Sequence, residues 1–295
     1  MPKILVIGES GQLARSLDGL RWPAGFGLAF IGRRHLPDGA PAAGIHAALE
    51  AERPALVLNT AAYTAVDRAE SEPEAATAAN AALPHALAEA CGALDIPLVH
   101  VSTDYVFDGE KRAPYLETDA TNPLSVYGAT KLEGDRAIER AAPRRWAILR
   151  TSWVVSDIGE TFPVKLLRRA KAGEPLRVVD DQWGCPTAAS DLARAMQSVG
   201  LKLLDDEPAA VGLFNFRGAT EMSWHGFAER LLSAAEEAGL ARPSLQAIKS
   251  ADLNTPARRP AYSVLSCARI RQTLGIGGAK IEDEIERMVR HILAT

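Results

Sequence analysis

An α/β fold, a doubly wound parallel sheet with a smaller C-terminal α/β portion, is the class that the sequence predicts, on three observations. Five short apolar runs, KILVIG, LAFIG, ALVLN, PLVHVS and WAILRTS, recur through the first half of the 295 residues. Ala-rich or amphipathic stretches of helical length separate them. The first run leads directly into a glycine turn, GESGQLA, that should open a helix. Parallel neighbours need a crossover, and helices on the crossovers cover both faces of the sheet. Alternation of this kind therefore points to βαβ units.

KILVI, at the start, is too short and too quickly polar for a signal peptide or a spanning helix, so it reads as the first strand. The turn after it has the spacing G-x-x-G-x-x-A, with Gly8, Gly11 and Ala14. Glycine makes the tight strand-to-helix turn, a second small residue lets a pyrophosphate reach the backbone, and the helix start offers free N–H groups to the anion. This is a Rossmann-type dinucleotide turn; the alternative is a glycine turn with only a structural role. The second strand ends in FIGRRHL, with Arg33 and Arg34 and no acid until Asp38. An acid there suits the ribose 2′-hydroxyl of NAD, whereas arginine suits a 2′-phosphate. NADPH is thus favoured over NADH, unless both arginines are solvated loop charges. Between the third and fourth strands, EPEAATAANAALPHALAEAC (72 to 91) is the longest helical candidate, and Pro84 should bend or restart it.

The fourth strand runs into LVHVSTDYVFDG, 98 to 109. Ligands of a parallel sheet gather outside the carboxyl ends of its strands, and Ser102, Thr103, Asp104 and Tyr105 fall there. Next, SVYGATKLEGD sets Tyr127 and Lys131 four apart in a stretch of helix formers preceded by the turn residues Thr121, Asn122 and Pro123. Such a pair shares a helix face. An ammonium beside a phenol favours the phenolate and lowers its pKa, so the tyrosine can exchange a proton with a carbonyl oxygen. YxxxK by itself is cheap and is more often an exposed face. With the glycine turn and the polar strand end it becomes a candidate active site.

After Thr151 the pattern changes. Helical stretches at FPVKLLRRAKAG, SDLARAMQSVGLKLL, WHGFAERLLSAAEEAGL and IEDEIERMVRHIL alternate with strand-like LRVVD and LFNF and the loop DQWGCPT. The division expected is 1–151 for dinucleotide binding and 152–295 mainly for substrate, interleaved because no linker or repeat separates them.

A net charge of −4 gives no electrostatic reason to expect nucleic acid or an acidic membrane as partner. Cys91, Cys185 and Cys267 form no CxxC pair, and the histidines lack HxxxH or HExxH spacing, so neither a disulfide framework nor a protein-ligated catalytic metal is expected. A cytoplasmic monomer or homodimer acting on a small molecule is the expectation.

Together, the glycine turn, STDYVFDG and YGATK resemble the extended short-chain dehydrogenase/reductases. More narrowly, GQLA, NTAAYTAVDRAE, RTSWVVS, VVDDQWGCPTAASDLA and ARRP are similar to the dTDP-4-dehydrorhamnose reductase family, from about residue 3 to about residue 265. The resemblance implies NADPH-dependent reduction of the C4 ketone of dTDP-4-dehydro-L-rhamnose. Tyr127 is then the general acid, Lys131 binds the nicotinamide ribose and tunes Tyr127, and Thr103 completes the triad. Gly11, Gln12 and Leu13 match the pyrophosphate turn, Ala61, Ala62 and Tyr63 a segment lining the cofactor, and Ser102 also stands on the cofactor side. Asp104, Tyr105 and Trp153 match sugar-holding positions, although Trp153 also reads as a core residue. Arg258 or Arg259 would meet the substrate diphosphate, or else lie in a solvated loop. Ala14, Val155, Ser156 and Thr161 depart from the family pattern. Some relatives hold Mg²⁺ between protomers through glutamates, but Arg15 and Ser16 occupy that neighbourhood here, so no metal is carried over. Rival readings are a reductase or epimerase of another nucleotide 4-ketosugar, or a non-catalytic NADP-binding regulatory subunit.

Overall fold

The protein is described here by a computed structural model that covers residues 2–32, 42–141 and 143–295; the predicted 2′-phosphate arginines, Arg33 and Arg34, lie outside the described residues. The chain runs β1 (Lys3–Ile7), α1 (Gln12–Asp18), β2 (Gly27–Ile31), α2 (Ala42–Glu52), β3 (Leu56–Asn59), α3 (Val66–Ala69) and α4 (Pro73–Thr77). A π-helical turn (Ala78–Ala82) leads to α5 (Leu83–Ala93), then β4 (Leu98–Thr103), a 3-10 turn (Asp104–Val106), α6 (Val126–Ala141) and β5 (Trp146–Thr151). The remainder is β6 (Val154–Val155), α7 (Phe162–Lys171), β7 (Leu176–Val179), β8 (Trp183–Gly184), β9 (Thr187–Ala188) and α8 (Ala189–Leu204). It closes with β10 (Gly212–Asn215), β11 (Met222–Ser223), α9 (Trp224–Glu237), β12 (Leu245–Ile248), α10 (Ala268–Leu274) and α11 (Glu282–Ala294).

The central sheet has the order β10-β5-β4-β3-β1-β2, and every pairing in it is parallel. The inner strands bury both faces because successive side chains alternate, while the edge strand β2 is half-buried. Ile4 and Val6 meet Leu17 of α1 and Met196 of α8 on one side. Leu5 and Ile7 meet Leu49 of α2 and Leu87 of α5 on the other. The restart expected at Pro84 is present: the π turn ends at Ala82 and α5 begins with Pro84 in its first turn, where the missing N–H costs no helical bond.

A separate core lies beyond the sheet, where the apolar faces of α7, α9 and α11 bring together Leu167, Phe227, Leu231, Met288 and Val289. Its helices start on favourable chemistry. The Ser223 hydroxyl caps α9 by accepting from Gly226 N–H at 3.0 Å. Glu282, Asp283 and Glu284 stand in the first turn of α11, against its positive dipole end. Edge strand β10 comes from beyond residue 151 yet pairs with β5, and β12 pairs in parallel with β7. Among the described residues no helix is long and apolar enough to cross a membrane.

Candidate active site

The carboxyl ends of β1, β3, β4 and β5 open onto a cavity of about 610 Å³. It lies where the chain, having placed β2 on one side of β1, returns to place β3 on the other, the switch point at which parallel sheets hold ligands. Gly8 makes the turn out of β1 at φ +113°, a conformation that side chains disfavour, and a Cβ there would stand 2.5 Å from Thr60 Oγ1. Gly11 caps α1, with open space where its Cβ would be. Gly11, Gln12 and Leu13 line the cavity. The first N–H groups of α1 have no helical partner there.

Gln12 also ties this turn to the second half of the chain. Its Nε2 donates to Val154 O at 3.1 Å and its Oε1 accepts from Ser156 Oγ at 2.8 Å, while Thr161 Oγ1 donates to Ser156 O at 2.6 Å. Ser156 and Thr161, two of the departures from the family pattern, thus form one hydrogen-bonded set that supports the turn.

Thr103 ends β4. Its hydroxyl accepts from Tyr105 N–H and donates to Asp104 Oδ1, each at 3.2 Å, and its side chain lies near the Tyr127 phenol. Tyr105 meets Tyr127 edge to face, ring centroids 5.8 Å apart. Tyr127 and Lys131 lie on α6, and both line the cavity. Lys131 is 1% exposed; its Nζ donates to Val101 O at 2.7 Å and lies 3.1 Å from His100 Nε2. Burial pulls its pKa down to about 8 against the opposing pull of Asp135. For Tyr127 the balance runs opposite to the lowering expected from the sequence. Burial pushes the phenol up to about 12, Asp104 and Asp135 add to that, and only the bond to Thr103 opposes it. The physical reason is direction: the ammonium expected to tune the phenol is turned toward the β4 backbone and His100.

Ser102 Oγ, Asp104 Oδ2 and Thr151 Oγ1 are buried without a partner among the described residues, and all three residues line the cavity. An orphaned polar atom of this kind costs roughly 1–3 kcal/mol unless a ligand satisfies it. Three such atoms on one wall, facing an open glycine turn, fit a bound dinucleotide and a polar substrate. Trp153 lines the cavity too, at φ +46°. Its indole stacks on Trp224 at 3.7 Å and 10°, and Gly184 makes room for it, since a Cβ there would stand 2.5 Å from Trp153 Cε2.

Other predicted residues are placed elsewhere. Ala62 lines the cavity, but Tyr63 sends its hydroxyl to Glu72 Oε2 at 2.6 Å, and Ala61 is not on the lining. Asn80 in the π turn holds the Tyr63 backbone at both ends, accepting its N–H at 2.8 Å and donating to its C=O at 3.1 Å. Arg259 forms a bidentate pair with Asp67, at 3.1 and 2.7 Å, and Arg258 is exposed. Neither is on the cavity lining, and Arg259 braces the ARRP segment against α3. Trp224, Thr151, His100 and Asn80 were not singled out in the sequence. Thr151 had a signal, as a residue near the end of a predicted strand; a lone Trp, His or Asn had none.

Comparison with known proteins adds a family. Residues 2–294 match the family described as RmlD substrate binding domain. A dTDP-4-dehydrorhamnose reductase of Sinorhizobium fredii is 40% identical over 292 residues, 99% of this chain and 98% of that one. The crystal structure of a dTDP-4-dehydrorhamnose reductase from Clostridium acetobutylicum superposes with a TM-score of 0.89 at 31% identity, covering 99% and 100% of the two chains. One from Bacillus anthracis, in complex with NADP, gives 0.89 at 27% identity and covers both chains fully.

Proposed function

Because the chain belongs to the RmlD substrate binding domain family, we propose that its cavity carries out the NADPH-dependent reduction of dTDP-4-dehydro-L-rhamnose to dTDP-L-rhamnose at C4. Bound NADPH supplies the hydride. Gly11, Gln12 and Leu13 hold the pyrophosphate against the start of α1. Ala62, Ser102 and Lys131 take the nicotinamide side, and residues 152–295 mainly hold the sugar nucleotide.

Tyr127 gives its phenolic proton to the O4 oxygen of the sugar. A phenol raised to about 12 is protonated throughout the neutral range, the state a reductase needs before transfer. Thr103, beside the phenol on the cavity wall, orients the O4 oxygen, and Asp104 offers Oδ2 to a sugar hydroxyl. The apolar indole rim that Trp153 and Trp224 give the cavity suits the 6-methyl edge of a deoxysugar. NADPH and nucleotide sugars are charged and cross no bilayer unaided, which supports a cytoplasmic reaction.

The convergence of Thr103, Tyr127 and Lys131 on one cavity wall, opposite the glycine turn, carries this reading. In Tyr127→Phe, turnover of the ketosugar, followed at the nicotinamide absorbance, should fall by a factor on the order of 10² or more. NADPH binding by fluorescence titration should stay near the parent value. A variant that reduced the ketosugar at the parent rate would remove Tyr127 as the acid.

A further inference from the structure

We propose that Ser156 is a positioning residue that couples the two ligands of the cavity. Through Gln12 it lets a dinucleotide on the glycine turn order residues 156–161, and that order raises the affinity for the sugar nucleotide. The identity of the second ligand rests on the reductase reading above; the ordering by a dinucleotide does not.

Gln12 opens α1 at the glycine turn and turns both ends of its amide toward the second half of the chain. Val154 O can only accept, so the amide end that meets it at 3.1 Å is Nε2. Oε1 then faces Ser156 Oγ at 2.8 Å, and the hydroxyl donates to it. That fixes the direction of the hydroxyl, whose lone pair accepts the Ile158 N–H at 3.1 Å. The two amide ends differ in what they hold. Val154 belongs to β6, which is paired with β9, so the Nε2 end rests on fixed backbone. Ser156 follows β6 and begins the segment outside it, so the Oε1 end is the one that can transmit a change.

Ile158, Gly159, Glu160 and Thr161 line the cavity. The segment closes on itself because Thr161 Oγ1 donates to Ser156 O at 2.6 Å, and Gly159 makes the turn between them at φ +76°. Asp157 is anchored to Arg287 of α11 at 2.8 Å. Beyond Thr161, Phe162 packs on Trp224 with ring centroids 4.6 Å apart, and Trp224 stacks on Trp153. One path thus leads from the glycine turn to the indole rim, through Gln12 and Ser156 and then along Ile158 on one arm and Thr161 on the other. A bound pyrophosphate settles the Gln12 backbone. The side chain then holds Ser156 with less loss of freedom, and a second ligand meets a wall already ordered, which is positive coupling with no new contact. Because Ser156 departs from the family pattern, the link is a feature of this chain.

Hydrogen exchange of the whole protein, read by mass spectrometry, tests the ordering with NADP⁺ alone. Saturating NADP⁺ should slow exchange in residues 156–161 severalfold in the parent. In Ser156→Ala, which keeps Cβ and loses only the hydroxyl, NADP⁺ should still bind yet slow that segment little. Equal slowing in both proteins, or none in the parent, overturns the proposal. The coupling is read by titrating dTDP-L-rhamnose with and without NADP⁺. The cofactor should tighten it by about fivefold or more in the parent and much less in Ser156→Ala, with the cofactor-free affinity unchanged. A variant that lost affinity equally with and without NADP⁺ would have a structural role only, and would sink the coupling. No binding of dTDP-L-rhamnose to the parent would instead remove the reductase reading and leave the exchange result standing. Should Ser156→Ala not fold, Thr161→Val opens the other arm of the same segment and must show the same loss of slowing.

Discussion

Asp104 concentrates the site's electrostatics in one carboxyl. It is 2% exposed, its Oδ2 lacks a partner among the described residues, and burial pushes it up to about 7 against the pull of Ser263 and Thr103. Between pH 4 and 7 the folded protein therefore holds a proton that the unfolded chain has lost, so this group's contribution to stability falls as pH rises through that window. Most paired carboxylates act in the opposite sense. Asp104→Asn removes the titration, so the melting temperature of the variant relative to the parent should rise from pH 5 to pH 7.5, followed by circular dichroism. A constant difference would show that Asp104 ionises at its ordinary value. At this scale Tyr127 and Lys131 were legible because a four-residue spacing in a helix is itself geometry. Trp224 and His100 were not, since what matters is the residue each one meets, Trp153 and Lys131, far away in sequence.

Among the elements, α6 matters most because it presents both Tyr127 and Lys131, and its seat on the sheet is electrostatic as well as apolar. Asp135 and Arg150 pair across the α6–β5 contact, nearly inaccessible, with the guanidinium also 5.5 Å from the Phe107 ring centroid. Breaking such a pair from one side leaves an uncompensated buried charge, so Arg150→Met should destabilise by roughly 3–5 kcal/mol in urea unfolding. Adding Asp135→Asn should recover much of that loss; no recovery would mean the arginine acts through packing alone. The five strands of the first half could be read in the sequence because each is an apolar run, buried on both faces in β1, β3, β4 and β5 and half-buried in the edge strand β2. β12 could not, because LQAI is mostly accessible and takes its strand form from pairing with β7. Nor could the π turn, whose Ala-rich residues fit an α-helix equally well and whose widened geometry serves to place Asn80 beneath Tyr63.

Taken whole, the molecule joins two bodies of packing through the cavity wall. Trp224 is the link: it begins α9, packs with Phe162 and Phe227 of the C-terminal core, and stacks on Trp153 at the cavity. Loosening that core should thus be felt on the sugar side before the cofactor side. Leu231→Ala, at a fully buried position, should cost about 2–5 kcal/mol. It should raise KM for the ketosugar severalfold while leaving NADPH affinity near the parent value in titrations; an equal loss for both ligands would contradict the link. The joining of the bodies also constrains how the chain matures. Because β10 is contributed by residues 212–215, a ribosome has released β1 through β5 long before that strand emerges. Until then Ala147 to Arg150 present an unpaired ladder, so the nascent chain carries an adhesive border during synthesis that only later translation seals.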